Sequence, residues 1–350
     1  MAGVRYFECL RRLIAGADSA IHWRQSLEAL VLGGSRFIGL HLVRLLSGQG
    51  HRVTVLNRGQ TAAELPDDVE RLAADRTEPE QVRDALHDRS WDVAFDISGY
   101  TPESLDPVVR ALEGNVGRFV FCSTTSVYAP GDVAPVEEDG PLFRDPDADE
   151  YSRNKILCED LLLDLFDARG FPMTILRPPY VYGPDNYLSQ REFSYFARLA
   201  RGRRIIVPGT GRTLVHSVHV DDLVDAFVAA PEIEKTMGQT YTICGPDAIT
   251  LDGWIDAIGA AMGLAPEIVH ASPAQYDELE VEARKFPFGW DRSTIYSTEK
   301  ARRDTDWAPK YRMADGLRMT YEWWTESGLD QQEWDFSAED RALETLDGAK

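Results

Sequence analysis

Tyr151 and Lys155 stand four residues apart at the head of an apolar-rich run, Tyr151-Ser152-Arg153-Asn154-Lys155-Ile156-Leu157-Cys158. On a helix this spacing puts the phenol and the ammonium on one face. A phenol titrates near pH ~10, and a neighbouring cation stabilises the phenolate, which makes the pair suited to proton transfer. An isolated Tyr-x-x-x-Lys is more often a surface pair. Here Lys155 is the first lysine of the chain, preceded only by arginines as fixed cations, and the stretches upstream supply what such a pair needs.

The first of these is Ala29-Leu30-Val31-Leu32, a buried-strand pattern running into Gly33-Gly34-Ser35-Arg36-Phe37-Ile38-Gly39 and then the helical Leu40-His41-Leu42-Val43-Arg44-Leu45-Leu46. Strand, glycine turn and helix together present backbone N–H groups and a helix N-terminus to a pyrophosphate. A second strand, Arg52 to Leu56, completes the context that a dinucleotide site requires. Asn57-Arg58 closes that strand where an acid would bind the ribose hydroxyl of NAD. With Arg36 nearby, two guanidiniums can clamp the 2′-phosphate of NADP, so the reading is NADP or NAD with NADP slightly favoured. An oxidised nicotinamide would be the second cation beside Tyr151, and the long stem of Lys155 reaches a ribose hydroxyl as well as the phenol.

Further strands are expected at Val69–Ala74, Trp91–Ile97 and Arg118–Cys122, separated by helices at Glu80–His87 and Glu103–Glu113. The alternation implies an α/β domain with a parallel sheet covered on both faces. Ligands then bind beyond the carboxyl ends of the strands, which places Asp75 and the loop Ser98-Gly99-Tyr100 along the cofactor cleft. The strand ending at Cys122 leads into Ser123-Thr124-Thr125-Ser126, whose hydroxyls can hold a substrate oxygen beside the phenol.

Composition narrows the alternatives. The 350 residues are 43% hydrophobic and 27% charged, as in an ordinary soluble enzyme. A net charge of −21 argues against a nucleic-acid partner. Cys9, Cys122, Cys158 and Cys244 have no metal-type spacing and read as reduced thiols. With no bilayer-length apolar run and no signal-peptide core, the expectation is a cytoplasmic protein with no membrane partner and no metal.

Six ordered motifs carry a resemblance over roughly residues 28–325: the glycine loop, Ser123 to Tyr128, Tyr151 to Lys155, Leu176-Arg177-Pro178-Pro179-Tyr180-Val181-Tyr182-Gly183-Pro184, His219-Val220-Asp221-Asp222-Leu223, and Asp306-Trp307-Ala308-Pro309. The chain resembles the extended short-chain dehydrogenase/reductases, in their epimerase/dehydratase branch. The resemblance implies a Rossmann-type doubly wound parallel sheet with a smaller, discontinuous C-terminal substrate lobe. It implies Thr124 as the active-site hydroxyl, Tyr151 as acid/base, and Lys155 as the residue that lowers the phenol pKa and holds the nicotinamide ribose. Pro178 and Tyr180 fall with the cofactor residues, and a homodimer through the Glu103 and Tyr151 helices is expected.

Departures from that pattern shape the functional reading. Arg36 stands where most extended members have glycine, a form similar to an atypical subgroup that includes chloroplast stem-loop-binding proteins, so a non-catalytic NAD(P)-binding regulator or RNA-associated protein is the alternative from another class. Thr125-Ser126 replaces the Asp-Glu of the family's dehydratases, leaving epimerisation through a transient ketone, or simple reduction or oxidation. Val215 stands where many members grip the substrate pyrophosphate with arginine. Arg191, Arg204 and Arg212, with Thr125 and Ser126, are the candidate contacts to a sugar nucleotide, nucleotide or sugar phosphate.

The expected organisation is an extension over residues 1–26, an NAD(P)-binding domain over 27–177, a mainly substrate-binding lobe over 178–325 and an acidic tail over 326–350. Residues 130–150 read as a loop covering the site, with Glu137 or Glu138 as a possible second acid or base. The stretch Thr325–Lys350, with eight acids against two basic residues, reads as a fraying solvated tail.

Overall fold

The computed structural model describes residues 26–146, 148–188, 191–284 and 286–348. The expected N-terminal extension, apart from Ser26, lies outside the described residues. Strands β1 (Glu28–Leu32), β2 (Arg52–Asn57), β3 (Glu70–Ala73), β4 (Trp91–Asp96), β5 (Val116–Cys122) and β6 (Met173–Arg177) lie in one parallel sheet. Two shorter strands, β7 (Tyr180–Tyr182) and β8 (Ile205–Pro208), are followed by β9 (Leu214–His219) and β10 (Gln239–Thr242). The main sheet has seven strands in the order β10-β6-β5-β4-β1-β2-β3, every pairing parallel.

Both faces of this sheet are covered, which is why its central strands read as continuous apolar runs. Helix α1 (Phe37–Gly48) covers one face, and α2 (Pro79–Leu86), α3 (Pro102–Leu112) and α4 (Glu150–Arg169) cover the other. Further along come α5 (Glu192–Ala200) and α6 (Val220–Ala229), the latter joining α1 on the first face. Alternate residues of the strands feed the two layers: Val31, Val93 and Phe95 meet the α1 side, while Leu30, Leu32 and Ala94 meet the α3 side.

Helix α1 is tethered at its outer side. His41 Nδ1 lies 2.7 Å from Asp221 Oδ1 on α6, its Nε2 lies 3.3 Å from Asp185 Oδ2, and Arg44 holds the same Asp185 oxygen at 2.6 Å. A second long-range tie joins two of the sequence motifs. Asp222 accepts backbone N–H bonds from Lys310 (2.8 Å) and Tyr311 (3.0 Å), and its carbonyl accepts the indole N–H of Trp307 (2.8 Å).

The second lobe is built on α5, α7 (Leu251–Met262) and, after α8 (Pro273–Glu278) and α9 (Glu299–Asp304), on α10 (Met313–Glu326). Phe196, Trp254, Ile258, Leu317 and Trp324 form its core. Strand β11 (Ala248–Thr250) extends a small sheet in the order β11-β9-β7, and β12 (Ile268–Ala271) pairs with β8.

Two expectations are corrected here. The Gln239 strand, assigned to the substrate lobe from its position in the chain, is β10 and forms an edge of the main sheet through parallel pairing with β6. The C-terminal stretch does not fray: Ser337–Gly348 is helix α11, with Ala338, Ala342, Leu343 and Leu346 buried against Ile206, Val269 and Ala271. Its acids face basic partners on the lobe. Asp340 pairs with Arg198 and Arg203, Asp347 with Arg204, and Arg341 with Glu280. The Phe336 ring lies between 5 and 6 Å from the guanidiniums of Arg198, Arg201 and Arg203.

Candidate active site

At the carboxyl edge of the main sheet lies a cleft of about 940 Å³, bounded by the ends of β1, β2, β3, β4 and β5 and by the start of α4. Its floor is the glycine turn. Gly33 takes φ +91°, a conformation that favours glycine, and a Cβ there would fall 2.7 Å from the Cβ of Ser98. At Gly39 a Cβ would fall 2.2 Å from the Gly33 carbonyl oxygen, so glycine lets α1 close onto the turn. Gly34 and Gly39 are buried packing positions, whereas Gly33, Ser35, Arg36, Phe37 and Ile38 line the cleft.

The N-terminus of α1 has no side-chain cap and no acid in its first turn. Its N–H groups therefore remain available to an anion. Asn57 does not face the ligand freely: its amide donates to Ser35 Oγ (2.6 Å) and its carbonyl oxygen accepts from the Gly59 N–H (2.8 Å). Arg58 and Arg36 both line the cleft and are exposed, with Arg36 stacked 5.1 Å over the Tyr187 ring. Asp75 also lines it, held below its usual pKa first by the backbone N–H of Thr77 and then by the Thr77 hydroxyl.

Helix α4 starts where Asp149 Oδ1 accepts the Ser152 N–H at 3.0 Å. That cap puts Tyr151 in the first turn, 43% exposed at the cleft, and Lys155 one turn deeper, 1% exposed. Lys155 Nζ donates to the Gly99 carbonyl (2.8 Å) and the Cys122 carbonyl (2.6 Å), and lies 4.7 Å from the Phe121 ring centroid and 5.0 Å from that of Tyr100. Burial lowers its pKa. Burial pushes the Tyr151 phenol up to about 12; the Thr124 hydroxyl and the Arg191 guanidinium pull the other way.

Thr124 caps a short turn after β5, accepting the Ser126 N–H at 3.1 Å. Thr125 is pinned by its N–H to the Pro178 carbonyl (2.9 Å), and Ser126 is exposed on the cleft wall. Behind them Ser123 donates to Glu159, which Arg177 grips with both arms (3.0 and 2.6 Å), so this carboxylate is committed to structure.

Arg191 enters from the second lobe, its guanidinium 4.4 Å from the Tyr180 ring centroid. The Tyr180 hydroxyl donates to Glu192 (2.8 Å), which is fully buried and also accepts from Asn186 (3.0 Å). Pro178 and Tyr180 line the cleft as well.

Several expected residues lie elsewhere. Arg204 bonds Asp347 on α11 at 2.6 Å, which takes it away from the cleft, and Arg212 is exposed outside the cleft lining. Glu137 is exposed, and Glu138 accepts the Thr242 N–H at 2.8 Å, fastening the 130–146 segment to β10. Neither lines the cleft.

Gln60, Thr61, Thr77, Thr101, Ser104, Tyr187 and Leu188 also line the cleft without having been expected there, and so does a further arginine. Arg76 forms a two-armed bond to the fully buried Asp96 (2.8 and 2.5 Å) and reaches Ser98 Oγ (2.7 Å). Its only signal was an arginine following Asp75 at a strand end.

Among the described lining residues Arg36, Arg58, Arg76, Lys155 and Arg191 face the cleft with Asp75 as the one carboxylate. An acidic protein thus concentrates positive charge where a phosphate-bearing ligand would lie. A dinucleotide fits these features: the glycine cradle that side chains would fill, the uncapped helix start, and the cationic walls.

Fold and site together define an NAD-dependent enzyme of the short-chain dehydrogenase/reductase type. Residues 29–244 match the sequence model described as the NAD dependent epimerase/dehydratase family, and the chain belongs to that family. It is 34% identical over 330 residues to the chloroplast stem-loop binding protein of 41 kDa b from Arabidopsis thaliana, covering 90% of this chain and 84% of that one. It is 26% identical to the 2'-dehydrokanamycin reductase of Streptomyces kanamyceticus, covering 75% and 74% of the two chains. The UDP-glucose 4-epimerase of Thermotoga maritima, solved with UDP-glucose, shares the fold at a TM-score of 0.72 and 21% identity, over 85% of this chain and 99% of that one.

Proposed function

We propose that the chain is an NAD(P)-dependent sugar epimerase acting on a nucleotide- or phosphate-bearing sugar through a transient ketone. The observation that carries this reading is the convergence of Thr124, Tyr151 and Lys155 on the same cleft as the glycine cradle. The bound nicotinamide would supply the hydride acceptor and, in reverse, the donor. Burial holds the Tyr151 phenol at about 12 and Lys155 donates to backbone carbonyls instead, so Tyr151 would take the proton of the sugar hydroxyl, and later return it, once the positive ring of an oxidised nicotinamide lowered its pKa. Thr124 holds the same oxygen, and Lys155 keeps a positive charge beneath the ribose and the phenol. Thr125 and Ser126 form the adjoining wall, and Arg191 binds a phosphate of the substrate. NADP is favoured over NAD because Arg58 follows β2, the Arg36 guanidinium lines the same cleft, and the Asn57 side chain is already occupied. A simple ketoreductase would use the same groups.

The relative named for stem-loop binding supports a second reading, a non-catalytic NAD(P)-binding or RNA-associated protein. The net charge of −21 and the complete Thr124, Tyr151, Lys155 set favour the enzyme. The same proposal takes the protein to be cytoplasmic and a homodimer through α3 and α4, where Leu157 is 50% exposed.

The test is a panel of nucleoside diphosphate sugars and sugar phosphates, following epimer formation and NADPH oxidation, with the dinucleotide released on denaturation identified by mass spectrometry. Turnover abolished by Tyr151→Phe supports the enzyme. Undiminished turnover in that variant refutes the mechanism, and hairpin RNA binding without any turnover selects the second reading.

A further inference from the structure

An arginine–carboxylate pair forms part of the wall of the cofactor cleft, with Arg76 in its lining and Asp96 behind. Asp96 at the end of β4 is fully buried, and Arg76 beyond β3 meets it with both arms. Replacing such a pair by packed apolar side chains is often neutral or stabilising, so stability accounts for it poorly and leaves room for another role.

The neighbouring bonds indicate one. Arg76 Nη1 also donates to Ser98 Oγ (2.7 Å), its Nε donates to the Ser104 carbonyl (2.8 Å), and the Ser98 N–H donates to Asp96 Oδ1 (3.0 Å). The loop after β4 is therefore bound to the pair through backbone and side chain. Gly99 rests directly on it: a Cβ there would fall 2.9 Å from Asp96 Oδ2 and 3.3 Å from Arg76 Nη2. The carbonyl of this same Gly99 is one of the two that hold Lys155 Nζ, the other being that of Cys122 at the end of β5. The Cys122 acceptor is fixed by its strand, whereas the Gly99 acceptor lies in a loop whose position depends on Arg76 and Asp96.

We propose that the Arg76–Asp96 pair is a positioning device for Lys155, fixing through the Gly99 carbonyl the place from which the ammonium engages the cofactor ribose. Arg76 and Asp96 are positioning residues here, acting on the ligand through Lys155. This rests on the cofactor reading given above.

Arg76→Met alone would leave Asp96 buried without its partner, so the informative variant replaces both, Arg76→Met with Asp96→Leu, in wild-type and Lys155→Met backgrounds. Melting temperature and circular dichroism establish that each variant is folded. The readout is the NADPH dissociation constant from the nicotinamide fluorescence, which requires no substrate. If the pair acts through Lys155, its replacement weakens NADPH binding about tenfold in the wild-type background and less than about twofold once Lys155 is methionine. Arg76→Lys, which keeps a cation against Asp96 but loses the second arm, gives a smaller loss with the same dependence on Lys155 and serves if the double replacement does not fold. Equal losses in the two backgrounds, or no loss in either, overturn the proposal. A wild-type protein that does not bind NADPH or NADH overturns the cofactor reading itself, a result distinct from additive losses in a protein that binds.

Discussion

The tether at the outer side of α1 makes stability depend on pH in a window set by one histidine. Burial opposes a charge on His41, but the hydrogen bonds it donates to the Asp185 and Asp221 carboxylates outweigh this and raise its pKa from 6.5 to about 9. A histidine whose folded pKa exceeds its unfolded value contributes stability that is fully present below the unfolded value and lost as pH rises through the folded one. With those two values the contribution is about 3 kcal/mol at pH ~6.5, about 2 kcal/mol at pH ~7.5, and close to zero by pH ~9.5. His41 is 6% exposed, so solvent screening takes little from this figure. Other groups contribute less or equally in both proteins. His219 is lowered to about 4 by burial and is neutral throughout the window, while Asp222 and Glu232, raised to about 7 also by burial, are about three-quarters ionised at pH ~7.5 and change little above it. Burial raises Cys122 to about 11, Cys158 to about 12 and Cys244 well above its usual value, so their unfolded thiols, ionising near pH ~8.5, lower stability across the same window in wild type and variant alike. Urea denaturation at pH ~7.5 and ~9.5 should show a fall about 2 kcal/mol larger in the wild type than in His41→Gln, whose side chain keeps polar contacts without the charge, because the thiol contribution is common to both. Stability that is flat across the window, or a fall of equal size in the variant, would refute the argument.

Two further outcomes follow from the cleft and the last helix. Arg58→Asp should weaken NADPH binding at least about tenfold and leave NADH binding unchanged or improved, since a charge-assisted bond to the 2′-phosphate is worth about 1.5–3 kcal/mol; equal effects on both cofactors in fluorescence titrations would remove the case for NADP. Phe336→Ala should cost about 3 kcal/mol, because the ring is 5% exposed and three guanidiniums lie against it; a loss below about 1 kcal/mol in urea denaturation would mean that α11 contributes little to the lobe.

What the sequence disclosed was local. The glycine turn announces itself because strand, turn and helix are contiguous, and Tyr151 and Lys155 because helical spacing alone puts them on one face. Arg76 and Asp96 gave no such signal: two charged residues twenty positions apart in different units reveal their pairing only when β3 and β4 are in place. Strand β10 is a short run with nothing to name its partner. Helix α11 was hidden by composition, since its eight-acid neighbourhood conceals Ala338, Ala342, Leu343 and Leu346 at helical spacing. Arg204 and Arg212 were plausible anion binders by type, and only their places in the fold, Arg204 against Asp347 and Arg212 outside the cleft lining, separate them from Arg191.

The position of β10 has a consequence for how the protein is made. Six strands of the main sheet are complete when residue 177 has left the ribosome, but the edge of β6 stays open until Gln239–Thr242 arrive. That is roughly 60 residues later, on the order of several seconds of synthesis. For that interval a strand whose five residues are all buried in the finished protein presents unpaired backbone groups to its surroundings. The nascent chain is therefore most exposed to wrong pairing midway through translation, and a pause in the messenger between codons 177 and 239 would lengthen the exposure.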